Sequence, residues 1–186
     1  MNWTWLLIRI TGLTAYSLLT ISVLAGIFRH IPRKKAGILE FHQVIGQIAL
    51  LGSAVHVYLL FFDHFQPFSL TEALVPFMSP YHRILSGIGT IALYIFIIVI
   101  VTSDFMKAIG RKVWKKTHYL VFPLWLMTWV HGFYLGTDSK TEWSMFLYWG
   151  SFLLVLGASL YLGYVTSTKK PANPKPVEKR MQRSQM

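Results

Sequence analysis

The sequence predicts an all-α membrane protein, a bundle of five transmembrane helices with an outside N-terminus and a cytoplasmic C-terminus. Three observations predict it. Hydrophobic residues make up 54% of the 186-residue chain and charged residues only 13%, whereas a soluble domain carries about 25% charge. The apolar residues gather into runs close to the roughly 20 residues that a helix needs to cross the hydrocarbon core. Basic residues concentrate in every second connecting segment, the asymmetry that orients helices in a membrane. With a mean hydropathy of +0.47, the expected solvent is the lipid bilayer of the cell membrane. Residues 1–167 are expected to form one multi-pass domain.

The first span, Thr4–Phe28, lacks a basic segment ahead of its apolar run and a small-x-small cleavage site after it. It therefore reads as a retained helix, not a signal peptide. Arg29, Arg33, Lys34 and Lys35 follow it. The second span, Phe41–Phe62, leads into the longest loop, Asp63 to Pro80, where Pro67, Pro76 and Pro80 surround the apolar stretch Leu70–Met78. That stretch predicts either a short helix on the membrane surface or a cap over whatever opens outward. The third span, Tyr81–Val101, is followed by Lys107, Arg111, Lys112, Lys115 and Lys116. The fourth, Thr117–Leu135, contains Pro123, which removes a backbone hydrogen bond and kinks a helix. The fifth, Trp143–Val165, precedes a proline- and lysine-rich end, and residues 168–186 are expected to be a disordered basic cytoplasmic tail.

Fifteen of the 18 basic residues follow spans one, three and five. The segments after spans two and four hold only Lys140, with Asp63, Glu72, Asp138 and Glu142. Positive-inside then places the N-terminus outside. Trp3, Trp5, Tyr81, Trp114, Tyr134, Trp143 and Tyr164 lie near predicted ends, as an interfacial aromatic belt does. The net charge of +11 does not point to nucleic acid, because the basic residues sit between apolar runs and form no soluble face. The chain has no cysteine. That excludes disulfides, thiolate zinc sites, iron–sulfur clusters and haem attached through C-x-x-C-H.

Coordinating residues inside a bilayer are costly, so each is a functional candidate. His42 and His56 stand 14 residues apart in span two, about 21 Å along a helix and within roughly 40° of one face. Gly46, Ala49 and Ser53 lie on that face between them. Such a stripe leaves room for flat macrocycles, or it marks ordinary helix packing. His118 and His131 repeat the arrangement in span four, 13 residues apart. Both spans run outward, so His42 pairs in depth with His118, and His56 with His131. Thirteen steps of an ideal helix leave the span-four pair roughly 140° out of phase. Altered winding at Pro123 must bring both imidazoles toward span two. Pairs about 20 Å apart cannot share one tetrahedral zinc. Two imidazoles on facing helices suit a porphyrin iron, so two b-type haems are expected; the alternative is four histidines in ordinary interhelical hydrogen bonds.

These residues resemble the ferric reductase-like transmembrane domain, shared by NADPH oxidases, ferric reductases and the haem-bearing membrane subunit of bacterial methionine sulfoxide reductase systems. In that family one span carries H-x13-H and a later one H-x12-H or H-x13-H, matched here by His42–His56 and His118–His131. Arg9-Ile-Thr-Gly12 and the stretch from Thr102-Ser103-Asp104 through Arg111 and Trp114 to His118 also look like family features. The similarity covers roughly residues 4–165. It implies that all four histidines ligate two haems b and that the chain carries electrons across the membrane. The family's oxidases continue into a domain for FAD and a nicotinamide nucleotide. Here about twenty residues follow the last span, without G-x-G-x-x-G. The chain therefore resembles the short bacterial members, some of which have six spans where five are counted here. Such members take electrons from a separate cytosolic flavoprotein reductase or from quinol. The acceptor lies outside the membrane: ferric iron, dioxygen or a partner reductase. FMN or quinone are further candidate cofactors. The alternative is a cytochrome b anchor subunit that exchanges electrons with the quinone pool for a larger oxidoreductase.

Arg9 is expected near the level of His56 and His131, where it either pairs with a haem propionate or snorkels to the interface. Arg83 has the same two readings. His64 and His82 at the outer boundary read as solvated loop residues or as part of an acceptor site, and His30 as a residue of the basic loop. Phe122, Trp125 and Trp129 read as plain core. Gln43 and Gln47 are polar enough to orient an imidazole.

Overall fold

The computed structural model describes residues 3–29 and 37–168, and among them it is all helical, with no strand. His30, Arg33, Lys34, Lys35 and the tail expected to be disordered, from residue 169 onward, lie outside the described residues. Four helices are long and apolar enough to cross a membrane: α1 (Trp3–Phe28), α2 (Ile38–Leu60), α4 (Arg83–Asp104) and α8 (Glu142–Thr168). At 1.5 Å per residue each exceeds about 30 Å, the thickness of the hydrocarbon core. The chain is a multi-pass membrane protein. Its outward surface agrees with this: Phe146, Leu153 and Leu160 on α8 are 82%, 65% and 66% exposed, which a lipid environment accepts and water would not.

Shorter helices fill the connections. The apolar stretch of the long loop forms α3 (Leu70–Leu74), started by a capping box in which Ser69 and Glu72 bond each other's backbone N–H groups. Thr90 donates to the Ala73 carbonyl at 3.1 Å and Tyr94 donates to that of Leu74, which ties this segment to α4. Two short helices, α5 (Met106–Ile109) and α6 (Arg111–His118), lead into α7 (Val121–Leu135).

The expected fourth span is thus divided. Between α6 and α7 the bonds Leu120 N–H to Thr117 and Phe122 N–H to Tyr119, at 3.0 and 3.2 Å, skip three residues rather than four. Each residue wound at three per turn gains roughly 20° over the α-helix. This is the direction needed to recover the missing phase. The break stands just before Pro123, whose absent N–H leaves the Tyr119 carbonyl open for Phe122 to bond.

The helices pair before they bundle. α1 lies along α2 and α4 along α7, each pair antiparallel, because Gly12 meets His56 while Gly26 meets His42, and Gly89 meets His131 while Ser103 meets His118. α8 packs on α1 and α7. The core between them holds Tyr16, Leu19, Phe96, Leu124, Trp125 and Trp129. Its polar atoms are matched: Trp125 Nε1 donates to Thr20 Oγ1 at 2.9 Å and Trp129 Nε1 to the Tyr148 carbonyl at 2.9 Å. Trp125 and Trp129 are core residues, as their helical spacing suggests.

Candidate functional site

A histidine ring carries two nitrogens, and the hydrogen bond made by one decides what the other can do. His56 Nδ1 donates to the Ile8 carbonyl at 2.9 Å. His131 Nδ1 donates to the Leu85 carbonyl at 2.8 Å, and His42 Nδ1 to the Ser22 carbonyl at 2.8 Å. A carbonyl oxygen only accepts, so the proton in each neutral ring sits on Nδ1 and the ligand lone pair on Nε2. His118 reaches the same state through a hydroxyl. Ser103 Oγ donates to the Val99 carbonyl at 2.6 Å and accepts from Trp114 Nε1 at 3.2 Å. It therefore receives the His118 Nδ1 proton at 3.3 Å. All four imidazoles share the tautomer and tether found on metal-ligating histidines.

The tethers have a common origin on the neighbouring helix. Each accepting carbonyl lies four residues before a small residue: Ile8 before Gly12, Ser22 before Gly26, Leu85 before Gly89. Val99 stands in the same relation to Ser103. A Cβ at Gly12 would come within 3.1 Å of the His56 ring, at Gly26 within 3.1 Å of His42, and at Gly89 within 2.6 Å of His131. The missing side chain lets the imidazole lie against the helix and reach a carbonyl already bonded within it. Gly12 and Gly26 are 14 residues apart, and so are Gly89 and Ser103, close to the spacing of the histidines they face. Reading the histidines alone misses these partners. The echoed spacing is the sequence signal that finds them.

The four histidines form two pairs. The His42 and His118 rings have centroids 5.9 Å apart with planes at 76°, and Trp114 packs on His118 with centroids 5.1 Å apart. Imidazole–metal bonds are about 2.0–2.1 Å, so two rings on opposite sides of one metal have centroids about 6 Å apart. His56 and His131 line a single cavity of about 1040 Å³, at the upper limit of the roughly 300–1,000 Å³ of ordinary ligand cavities. Among the described residues no three His, Cys, Asp or Glu side chains cluster to hold a metal ion. Two-histidine sites are what the fold offers, and their spacing, tautomers and glycine cradles fit haem.

Around the outer pair, α3 and the loop before it roof the cavity, with Phe68, Glu72 and Ala73 in its lining. The loop acts as a cap. Arg9 also lines the cavity, where its Nε donates to Asp138 at 2.6 Å in an ion pair and its guanidinium lies 4.0 Å over the Trp5 ring. Asp138 is a counter-charge that sequence reading did not supply. Arg83 is exposed and donates to the Phe77 carbonyl at 2.6 Å, away from the cavity lining. Gln43 and Gln47 are exposed, so Ser22 does the orienting they were considered for. Of the small stripe on α2, Ser53 lines the cavity, while Gly46 faces Ser22 and Ile100 in ordinary close packing. His64 and His82 are exposed, and His82 caps the start of α4 in a left-handed conformation, φ 43°.

Antiparallel membrane helices thus bring tethered imidazoles together in two pairs. The ferric reductase like transmembrane component family matches residues 11–129, well over half of the chain, and the protein belongs to it. Membership implies transmembrane electron transfer, and haem b is the cofactor usual in the family. The match takes in His42, His56 and His118 and stops two residues before His131. No curated protein and no solved structure matched the chain.

Proposed function

We propose that this protein carries electrons across the cell membrane through two haems b, one held by His42 and His118 toward the cytoplasm, the other by His56 and His131 toward the outside. The observation that carries the reading is the Nδ1 tether on all four imidazoles, which turns Nε2 of every ring into a ligand nitrogen. Haem, when bound, supplies reversible one-electron chemistry. The chain's own residues do the rest. Ile8, Leu85 and Ser22 fix the rings through their carbonyls and raise the basicity of the coordinating nitrogen. Leu13, Leu93 and Phe96 give the outer site apolar walls, and the α3 cap limits water from above.

The division of charge between loops supports an outside N-terminus, with α6 and α7 together making a fifth crossing. The protein then works as a short bacterial member of its family, similar to the haem membrane subunit of methionine sulfoxide reductase systems. Its donor is a cytosolic flavin reductase or quinol, and its acceptor is ferric iron, dioxygen or a partner reductase in the envelope. Purified protein should show a b-type Soret band that reduction shifts. Addition of a flavin reductase with NADH, or of quinol alone, identifies the donor by which of them reduces the oxidised spectrum. A sample expressed with haem supply and still colourless excludes the proposal.

A further inference from the structure

The last helix lies beyond the stretch matched to the family, yet it enters the outer cavity. Ser144, Tyr148, Ser151 and Val155 form the buried face of α8. Ser144 and Tyr148, one turn apart, both line the cavity that holds His56 and His131. Tyr148 is pressed against the helix that carries His131: a Cβ on Gly132 would stand 2.5 Å from its hydroxyl. Ser144 is 0% exposed, and among the described residues its Oγ is the buried side-chain polar atom with no hydrogen-bond partner. Ser53, Ser103 and Ser159, each more than a turn into its helix, bond the carbonyl one turn back at 2.9, 2.6 and 2.7 Å, whereas Ser144 is the third residue of α8 and its equivalent partner, Lys140, precedes the helix. A buried hydroxyl left without a partner is costly.

We infer that Ser144 donates its hydroxyl to a carboxylate of the molecule that fills the outer cavity, with Arg9 as the cationic partner of the same edge. Resting on the reading above, that carboxylate is a propionate of the outer haem. The cavity wall holds Asp63, Glu72 and Asp138 beside Arg9, which among the described residues is the single cation in the lining. Its guanidinium lies over the Trp5 ring and pairs with Asp138. A buried hydroxyl donor and a guanidinium that line one cavity can share a carboxylate. Ser144 is then a positioning and potential-setting residue, since a hydrogen bond to a propionate disperses negative charge that otherwise favours the oxidised iron.

The test compares Ser144→Ala and Ser144→Thr in the full-length protein, with redox titration of both haem transitions. Infrared difference spectra of protein loaded with carboxylate-labelled haem give a second readout. Ser144→Ala should keep both haems, shift the outer transition to lower potential and move the labelled carboxylate band, with the inner transition unchanged. Ser144→Thr, which retains the hydroxyl, should restore both readings. An outer potential and carboxylate band identical to wild type in Ser144→Ala overturn the inference, and so do equal shifts in both variants, which report volume and not a hydrogen bond. A wild-type protein without any porphyrin overturns the haem reading itself, so the two failures are distinguishable.

Discussion

A histidine within a bilayer must satisfy two ring nitrogens without water, and this chain satisfies Nδ1 with a backbone carbonyl at His42, His56 and His131 and with the Ser103 hydroxyl at His118. That asymmetry makes the site. Because an oxygen of the neighbouring helix accepts the Nδ1 proton, the ring is neutral, oriented and ready to coordinate through Nε2. The arrangement depends on the glycine opposite as much as on the histidine. Gly12→Val should therefore remove the outer haem and leave the inner one, read as one haem per chain in place of two; Gly26→Val should do the converse. Substitution of the ligands gives the parallel result. His42→Ala and His118→Ala should each abolish the inner spectrum, and His56→Ala and His131→Ala the outer. Loss in any other pairing contradicts the topology. Arg9→Ala should lower the outer potential, since it removes a cation from the cavity and leaves Asp138 uncompensated; an unchanged potential assigns Arg9 to the Asp138 pair alone. The histidines were legible in the sequence because a costly residue in an apolar run stands out. Their tethers were not, because a carbonyl belongs to every residue and only the spacing of small residues betrays which one is used. Asp138 was hidden for a different reason, being 129 residues from Arg9 and joined to it only by the fold.

Among the elements, the broken fourth span decides whether His118 and His131 can both face inward. The sequence showed the conflict: a 13-residue spacing that an ideal helix leaves roughly 140° out of phase, with Pro123 between. It did not show the remedy, which is a division into α6 and α7 with three-residue winding at Tyr119–Phe122. Replacing Pro123 by alanine permits continuous α-helix and should lower haem occupancy while helix content by circular dichroism is unchanged or slightly higher. Retention of both haems with unaltered potentials assigns the winding to the surrounding packing and not to the proline. The outer loop was legible only as a choice between a surface helix and a cap, because both bury the same apolar residues; in the structure Thr90 and Tyr94 hold it against α4, and Phe68, Glu72 and Ala73 line the cavity. At its start, hydrogen bonds from the backbone N–H and the hydroxyl of Ser69 lower the pKa of exposed Glu72. A depressed pKa contributes stability above the ordinary carboxylate range that is lost as pH falls through the folded value. Amide exchange over residues 69–75 should accordingly accelerate, relative to its intrinsic rate, on acidification below that range. Glu72→Gln should lack this dependence.

At the scale of the whole molecule, two antiparallel helix pairs and α8 bring the four imidazoles together as two pairs. The four long spans were legible almost to their ends, since apolar length and bilayer thickness specify the same boundaries. The expected fourth span was legible as an apolar run but not as two helices, because hydropathy is blind to a change of winding. Orientation rests on the basic loops and can be tested directly in a chain without native cysteine. A single cysteine placed at Lys140 should react with an impermeant thiol reagent in intact cells, and one placed at Lys112 only after the membrane is opened. The reverse pattern inverts the protein and exchanges the inner and outer assignments.

Haem quantitation against protein, by alkaline pyridine extraction of the purified full chain, addresses the paired imidazoles most directly. Two non-covalently held b-type haems per polypeptide, falling to one on replacement of any one of the four histidines, is the result expected. A wild-type stoichiometry of zero, or one that the replacements leave unchanged, contradicts the assignment of these histidines as ligands.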